Sequence, residues 1–442
     1  MTRQDTAVSA LSPFEATELH DVLIQGGRVG DAPRPTKLGR AELLAALKRA
    51  GTRHIYADSG DAAEIEKAVT LDEGALAAEV DGNTVNQPLV RKGLDRYLDD
   101  ARFGASIRRI EMAGWPLTAA DLVPLVYTMV CGWIGNDIAA RLAAGRHWEG
   151  SLQLHMGVAL YPDRAKTLGR LLRRMVPSCL VKVPFTPHAP HCLLVARDLE
   201  REGIPVNFTT TFSARQAVVA AVLADVTRTN IFLGRLNDGL QAARLGEHVD
   251  LEAQRALRRL RETAGVKTEL IAASLRDWRT FDAVTGCDVF TAPCEVLREF
   301  LAQTEVPPGR VTSRLEVSYE ETLGVADVVK AQVRPAAIAR LYRVEPELVR
   351  FLLDLRRRGD FAAATDGEWL QRQFENAGFG DIFYAPSAAE WQQARRSKLP
   401  ELGSDLTRHL PLDTHFTLLG HADFEKSQEA IDAAIAERLG RS

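Results

Sequence analysis

Cysteine is scarce in this sequence, and its spacing is unpaired. The five thiols, Cys131, Cys179, Cys192, Cys287 and Cys294, are odd in number and three lie within or beside apolar runs. A disulfide framework is therefore excluded, and reduced core residues are expected. Charge of one sign is also lacking: the formal net charge is −4, the arginines are scattered and neither terminus carries a long charged tail. A nucleic-acid partner, which needs a basic patch or stripe, is excluded on that ground. The longest strongly apolar run, LVPLVYTMVCGWIG at 122–135, is too short to span a bilayer, and the opening MTRQDTAVSA has no apolar signal core. The expectation is a cytoplasmic chain with no membrane partner.

Several motifs are missing as well. There is no GxxxxGK[ST] loop and no GxSxG elbow, and GGRVG near the N-terminus precedes no strand-to-helix switch. His188, His191 and Cys192 in TPHAPHCL lack a second ligand cluster, so no metal is expected. The basic cluster RALRRLRET (255–263) reads as a solvated helix face. What is present is 46% hydrophobic and 26% charged residues over 442 positions with no low-complexity tract, the composition of a globular chain able to bury a large core.

Periodicity gives the organisation. Two amphipathic patterns, FEATELHDVLI and GRAELLAALKRA, precede a rhythm of short β-branched runs, each followed by a helical pattern. The runs are 53–58, 80–85, 151–157, 179–184, 204–211, 230–234, 268–274 and 287–293. Eight such pairs predict an α/β fold, a (β/α)8 TIM barrel, with a doubly wound sheet as the competing arrangement. The expected boundaries are an N-terminal helical extension (1–51), the barrel (52–305) with a helical insertion (91–150) after the second strand, and a C-terminal helical region (306–442). The insertion and the C-terminal helices are free to serve a homo-oligomer or to cover a site.

The polar residues favour the barrel. Asp58, Asn86, Lys182, Asn207, Thr209, Arg235 and Arg276 all fall at or near strand C-terminal ends, where barrel enzymes build their sites. Lys182 stands in the apolar run CLVKVPFTP. Burial there disfavours the ammonium form, and a neutral amine near pH 7 is what a carbonyl needs for Schiff-base formation. Each residue also has a plainer role open to it. Asp58 or Ser59 can cap the next helix, Asn86 can serve a turn, and the two arginines can form surface ion pairs.

Taken together, IYADSGD (55–61), GNTVNQPLV (82–90), LVKVPFTPH (180–188), EGIPVNFTTTFSARQA (202–217), NIFLGRLND (230–238) with AASLR (272–276), and GCDVFTAP (286–293) resemble the transaldolase family of class I aldolases. The resemblance covers roughly residues 52–305, with an echo in ADFEKSQEAID (422–432). It implies that Lys182 is the imine-forming lysine and Asp58 the acid and base. Thr209 would hold a catalytic water. Thr84, Asn86, Asn207, Asn230, Phe232, Arg235, Ser274 and Arg276 would bind a sugar phosphate. The implied reaction transfers a dihydroxyacetone unit and uses no cofactor.

Two departures bear on that expectation. The third strand lacks the family's glutamate and offers Gln153 or His155 in its place, on the same face by period-two alternation. A core imidazole is an equal reading for His155. Phe232 matches the transferase branch, whereas the aldolase branch, resembling fructose 6-phosphate aldolase, has tyrosine there and tolerates glutamine on the third strand. A lyase and a catalytically impaired sugar-phosphate-binding protein therefore stay beside the transferase as alternatives.

Overall fold

The computed structural model describes residues 37–72, 74–115, 117–157 and 161–440; the first amphipathic pattern, at 14–24, lies outside them. Eight parallel strands close into a ring: β1 His54–Asp58, β2 Gly82–Val85, β3 Glu149–Gln153, β4 Cys179–Pro184, β5 Val206–Thr209, β6 Arg228–Phe232, β7 Glu269–Ala273 and β8 Val289–Ala292. β8 pairs with β1 and completes the barrel. The doubly wound alternative is thereby eliminated. Helices cover the outer face and side chains fill the inner one, so the strands are buried on both sides and read as nearly continuous apolar runs.

Inward positions stack in layers. At the base, Arg228 Nη1 donates to Glu149 (2.7 Å) and Nε to Glu269 (3.2 Å), with its guanidinium 5.2 Å from the Tyr56 ring centroid. This charged plug closes the N-terminal end of the barrel. One layer up, Asn207 Nδ2 donates to Ser151 Oγ at 2.9 Å. β3 starts and ends earlier than the run at 151–157 predicted. Glu149 pairs with Gly82 and belongs to the base layer, while His155 leaves the sheet to meet the C-terminal helix.

Three helices, Gln87–Leu98, Ala101–Met112 and Ala119–Leu142, form the insertion between β2 and β3. The last outruns its apolar segment, continuing through NDIAARL. By length and composition Ala120–Leu142 is sufficient to cross a membrane, and 78% of its most apolar window is buried inside the fold. Its middle, 124–135, is apolar on all sides because it is covered on all sides.

Beyond the barrel, short helices lead to Leu412–Arg438, which packs against Gln87–Leu98 and Ala119–Leu142. This helix begins well before the segment at 422–432, because its first half is buried all round and carries no amphipathic period. Leu348, Leu352, Phe374, Phe416, Phe424 and Ile431 belong to the same core as the barrel.

The arginines at 255–263 do not simply face water. Arg255 donates to the Leu315 carbonyl (2.6 Å), Arg258 to that of Gly286 (3.0 Å) and Arg261 to that of Thr268 (3.0 Å). Arg255 ties the helix Leu245–Ala264 to the chain after the barrel, and Arg258 and Arg261 tie it to the turns that lead into β8 and β7. All five cysteines are free and buried.

Candidate active site

The C-terminal end of the barrel holds a cavity of about 330 Å³. Its lining contains ten of the residues singled out above: Asp58, Thr84, Asn86, Lys182, Asn207, Asn230, Phe232, Arg235, Ser274 and Arg276. Strand register brings them together. Asp58 pairs with Thr84 across β1 and β2, and Lys182 stands between Gln153 of β3 and Asn207 of β5. Residues opposite one another in register point to the same face, so these side chains converge at one level of the barrel interior.

Lys182 is buried. Burial pushes its amine down to about 8, with Asp58 pulling in the other direction. Burial raises the Asp58 carboxyl, against the lowering effects of Lys182 and of the Thr84 hydroxyl. Thr84 Oγ1 donates to Asp58 Oδ1 at 2.5 Å and lies 2.6 Å from Thr291 Oγ1. Since its one proton goes to Asp58, Thr291 donates to Thr84. The helix after β1 is capped by Asp61, whose side chain accepts from Ala63 and Glu64 N–H. Neither Asp58 nor Ser59 is consumed as the cap, and Asp58 remains turned to the cavity.

Asn86 does two jobs. Its Oδ1 caps Gln87–Leu98 by accepting from Leu89 N–H (3.2 Å), which leaves Nδ2 for the cavity. Asn230 Nδ2 donates to Thr209 Oγ1 at 3.1 Å, so the Thr209 hydroxyl keeps its own proton to give. Asn207 Oδ1 and Gln153 Oε1 are buried without a hydrogen-bond partner, a state that polar groups seldom keep unless a ligand or water completes them.

The two β3 candidates occupy different places. Gln153 is in register with Lys182, and its Nε2 contacts Met156 Sδ at 3.2 Å. Like Gln153, His155 is outside the cavity lining. Its Nε2 lies 2.9 Å from Asp432 Oδ1, and its Nδ1 accepts from Gly157 N–H. The ring thus joins the end of β3 to the C-terminal helix as a bonded imidazole.

At the wide end, Arg276 donates from Nε and Nη2 to Asp238 Oδ2 (2.9 and 2.8 Å) and from Nη1 to Ser274 Oγ (2.9 Å). Arg235 Nη2 meets Asp423 Oδ2 at 2.7 Å, with its guanidinium against the rings of Phe232 and Phe424. Ser274, at φ 67°, holds a left-handed conformation costly for a side-chain-bearing residue. Residues that the sequence reading did not single out also line the cavity: Asp238, Ile271, Thr291, Lys398 and Phe424. Thr291 was detectable from its alternation with Val289 in β8. Lys398 and Phe424 carry no local signal, since only the return of the C-terminal segment over the barrel brings them there. Among the described residues no group of three or more His, Cys, Asp or Glu side chains is placed to hold a metal ion.

Residues 55–337 match the sequence profile of transaldolase/fructose-6-phosphate aldolase. A probable transaldolase of Hyphomonas neptunium is 33% identical over 158 residues, 35% of this chain and 68% of that protein. One from Agathobacter rectalis is 35% identical over 158 residues, 35% of this chain and 67% of that protein. Another, from Geobacillus kaustophilus, is 35% identical over 133 residues, 30% of this chain and 57% of that protein. With the closed barrel and a match spanning more than half of its length, the chain belongs to the transaldolase/fructose-6-phosphate aldolase family.

Proposed function

We propose that this protein is a transaldolase-type transferase that moves a dihydroxyacetone unit between sugar phosphates through an imine on Lys182. The observation that carries the reading is a buried amine, brought down to about 8, in a cavity it shares with a carboxyl group and three asparagines. Lys182 Nζ attacks the ketose C2 carbonyl, and the carbinolamine loses water to give the imine. Asp58 takes the proton of the C4 hydroxyl as the C3–C4 bond breaks. The bonding pair moves into the protonated imine to form an enamine, and the first aldehyde departs. An acceptor aldehyde reverses these steps, with Asp58 returning the proton, and water hydrolyses the new imine. Asn86 and Asn207 offer amide groups to the hydroxyls of the fragment, and Arg235, Ser274 and Arg276 offer donors at the phosphate end.

A second reading, cleavage without transfer, draws support from Gln153 in the place of a carboxylate. Against it stands Phe232: among the described residues lining the cavity there is no phenol to protonate the enamine. The test is intact-mass analysis after borohydride reduction with fructose 6-phosphate or sedoheptulose 7-phosphate, comparing wild type with Lys182→Met. The expected result is a three-carbon adduct on the wild type alone. Dihydroxyacetone released without an acceptor aldehyde would move the assignment to the lyase, and a folded protein giving no adduct would refute the imine.

A further inference from the structure

The two arginines at the wide end of the cavity do not face it as bare cations. Arg276 is held by Asp238 through two hydrogen bonds and by Ser274 through two more, at its carbonyl and its hydroxyl. Arg235 is paired with Asp423 of the C-terminal helix, and its Nη1 is buried without a partner close to Gly420 of that helix. Two carboxylates therefore accompany two guanidinium groups, and the four charges cancel. A phosphate arriving here meets Asp238 in the cavity wall and an Arg235 already paired with Asp423, and at close range like charges repel.

Lys398 changes that sum. It lines the same cavity and is exposed. Among the described residues lining the cavity, Lys182 and Lys398 are the two cationic side chains with no carboxylate within ion-pair distance. Lys182 is buried deep at the imine position, so the excess charge at the mouth is that of Lys398. Its segment is anchored on both sides. Upstream, Arg395 bridges Glu425 (3.1 Å) and Glu429 (2.9 Å) of the C-terminal helix. Downstream, Pro400 is buried and packs over Gly239, where an added Cβ would lie 3.0 Å from Pro400 Cδ. Such anchoring lowers the entropy cost of presenting a long flexible side chain to a ligand.

Resting on the sugar-phosphate reading above, we infer that Lys398 is a specificity-determining residue: its ammonium engages the terminal phosphate of the substrate and makes the mouth select phosphorylated over neutral sugars. The residue lies beyond the 55–337 region that matches the family. The chain thus uses its C-terminal region to supply a cation after that same region has neutralised Arg235.

The test separates binding from chemistry. In the Lys182→Met background, where no imine forms, titration calorimetry with fructose 6-phosphate and with unphosphorylated fructose is compared for Lys398 and for Lys398→Ala and Lys398→Arg. The expected outcome is a loss of about tenfold or more in fructose 6-phosphate affinity for Lys398→Ala, recovery in Lys398→Arg and no change with fructose, the difference shrinking as salt is raised. Equal affinity of the Lys398 and Lys398→Ala proteins for fructose 6-phosphate, including no binding by either, would overturn the inference, as would an equal loss for both sugars. Failure of the imine reading would show separately, as absence of the borohydride adduct in a wild type that still discriminates the phosphate.

Discussion

At the scale of single residues, the site depends on two opposed titrations. Lys182 must lose its proton to attack, and burial has brought it to about 8. The initial rate of adduct trapping at subsaturating sugar should rise with pH and level off above about 8. Asp58→Asn removes the negative neighbour that raises the amine, so the inflection should move to lower pH while carbon–carbon cleavage falls by about two orders of magnitude or more. An inflection that stays in place or moves up would contradict the pairing. Elsewhere, Asp250 is fully buried with both oxygens unpartnered, beside the Cys287 thiol. Burial pushes its carboxyl up to about 8 from 3.8, and Glu247 and Asp288 add to the shift. Between those values the folded state holds a proton that the unfolded chain has released, so stability falls as pH rises, by about 1.4 kcal/mol per pH unit. Asp250→Asn should remove that slope. Urea unfolding at pH 5 and pH 8 should show a stability gain that is larger at pH 8.

At the scale of elements, the wide end of the cavity depends on close approach of the chain after β6 to the end of β7. A Cβ at Gly234 would lie 2.0 Å from the Ser274 carbonyl oxygen and 3.0 Å from Arg276 Cγ. Backbone cannot yield there as a flexible side chain would. Gly234→Ala should cost about 1–3 kcal/mol and raise KM for phosphorylated sugars more than it lowers kcat, since it parts Arg235 from Arg276 without touching Lys182. Steady-state kinetics with thermal unfolding would check both halves. The helix Leu412–Arg438 likewise acts as one piece: Asp413 grips Arg215, Asp423 meets Arg235, Phe424 walls the cavity and Asp432 holds His155.

At the scale of the whole molecule, the C-terminal region is joined to the barrel by a buried ion pair as well as by shared core. Arg215 donates to Asp413 from Nε (2.6 Å) and Nη2 (2.8 Å), and Ser213 adds a third bond to the carboxylate at 2.7 Å. Both charged groups are almost fully buried. Burial alone would raise Asp413, yet Arg215 and Ser213 hold it below the usual carboxylate range. Arg215→Met strands that carboxylate and should cost about 3–5 kcal/mol, whereas Arg215→Met with Asp413→Leu should recover most of the loss. Chemical denaturation of the single and double variants measures both. A double variant no more stable than the single one would assign the loss to packing.

The eight strand-and-helix units and the order of their polar ends were legible along the chain. Those signals are local: β-branched runs, cap residues and alternation operate within a few positions. Once the runs close into a parallel barrel, Asp58, Lys182, Asn207 and Asn230 are brought to one end, because every strand points the same way. Packing between distant segments settled what pattern left open. It gave the helix cap to Asp61 and kept Asp58 for the cavity, and it set Gln153 in register with Lys182 while turning His155 to Asp432. It also buried the middle of the helix Ala119–Leu142, at 124–135, on all sides and carried Lys398, Asp423 and Phe424 back over the barrel mouth. Contacts between residues more than a hundred positions apart leave no periodic trace in a chain, so the charge balance at the mouth became visible only when the C-terminal helix was seen lying across it.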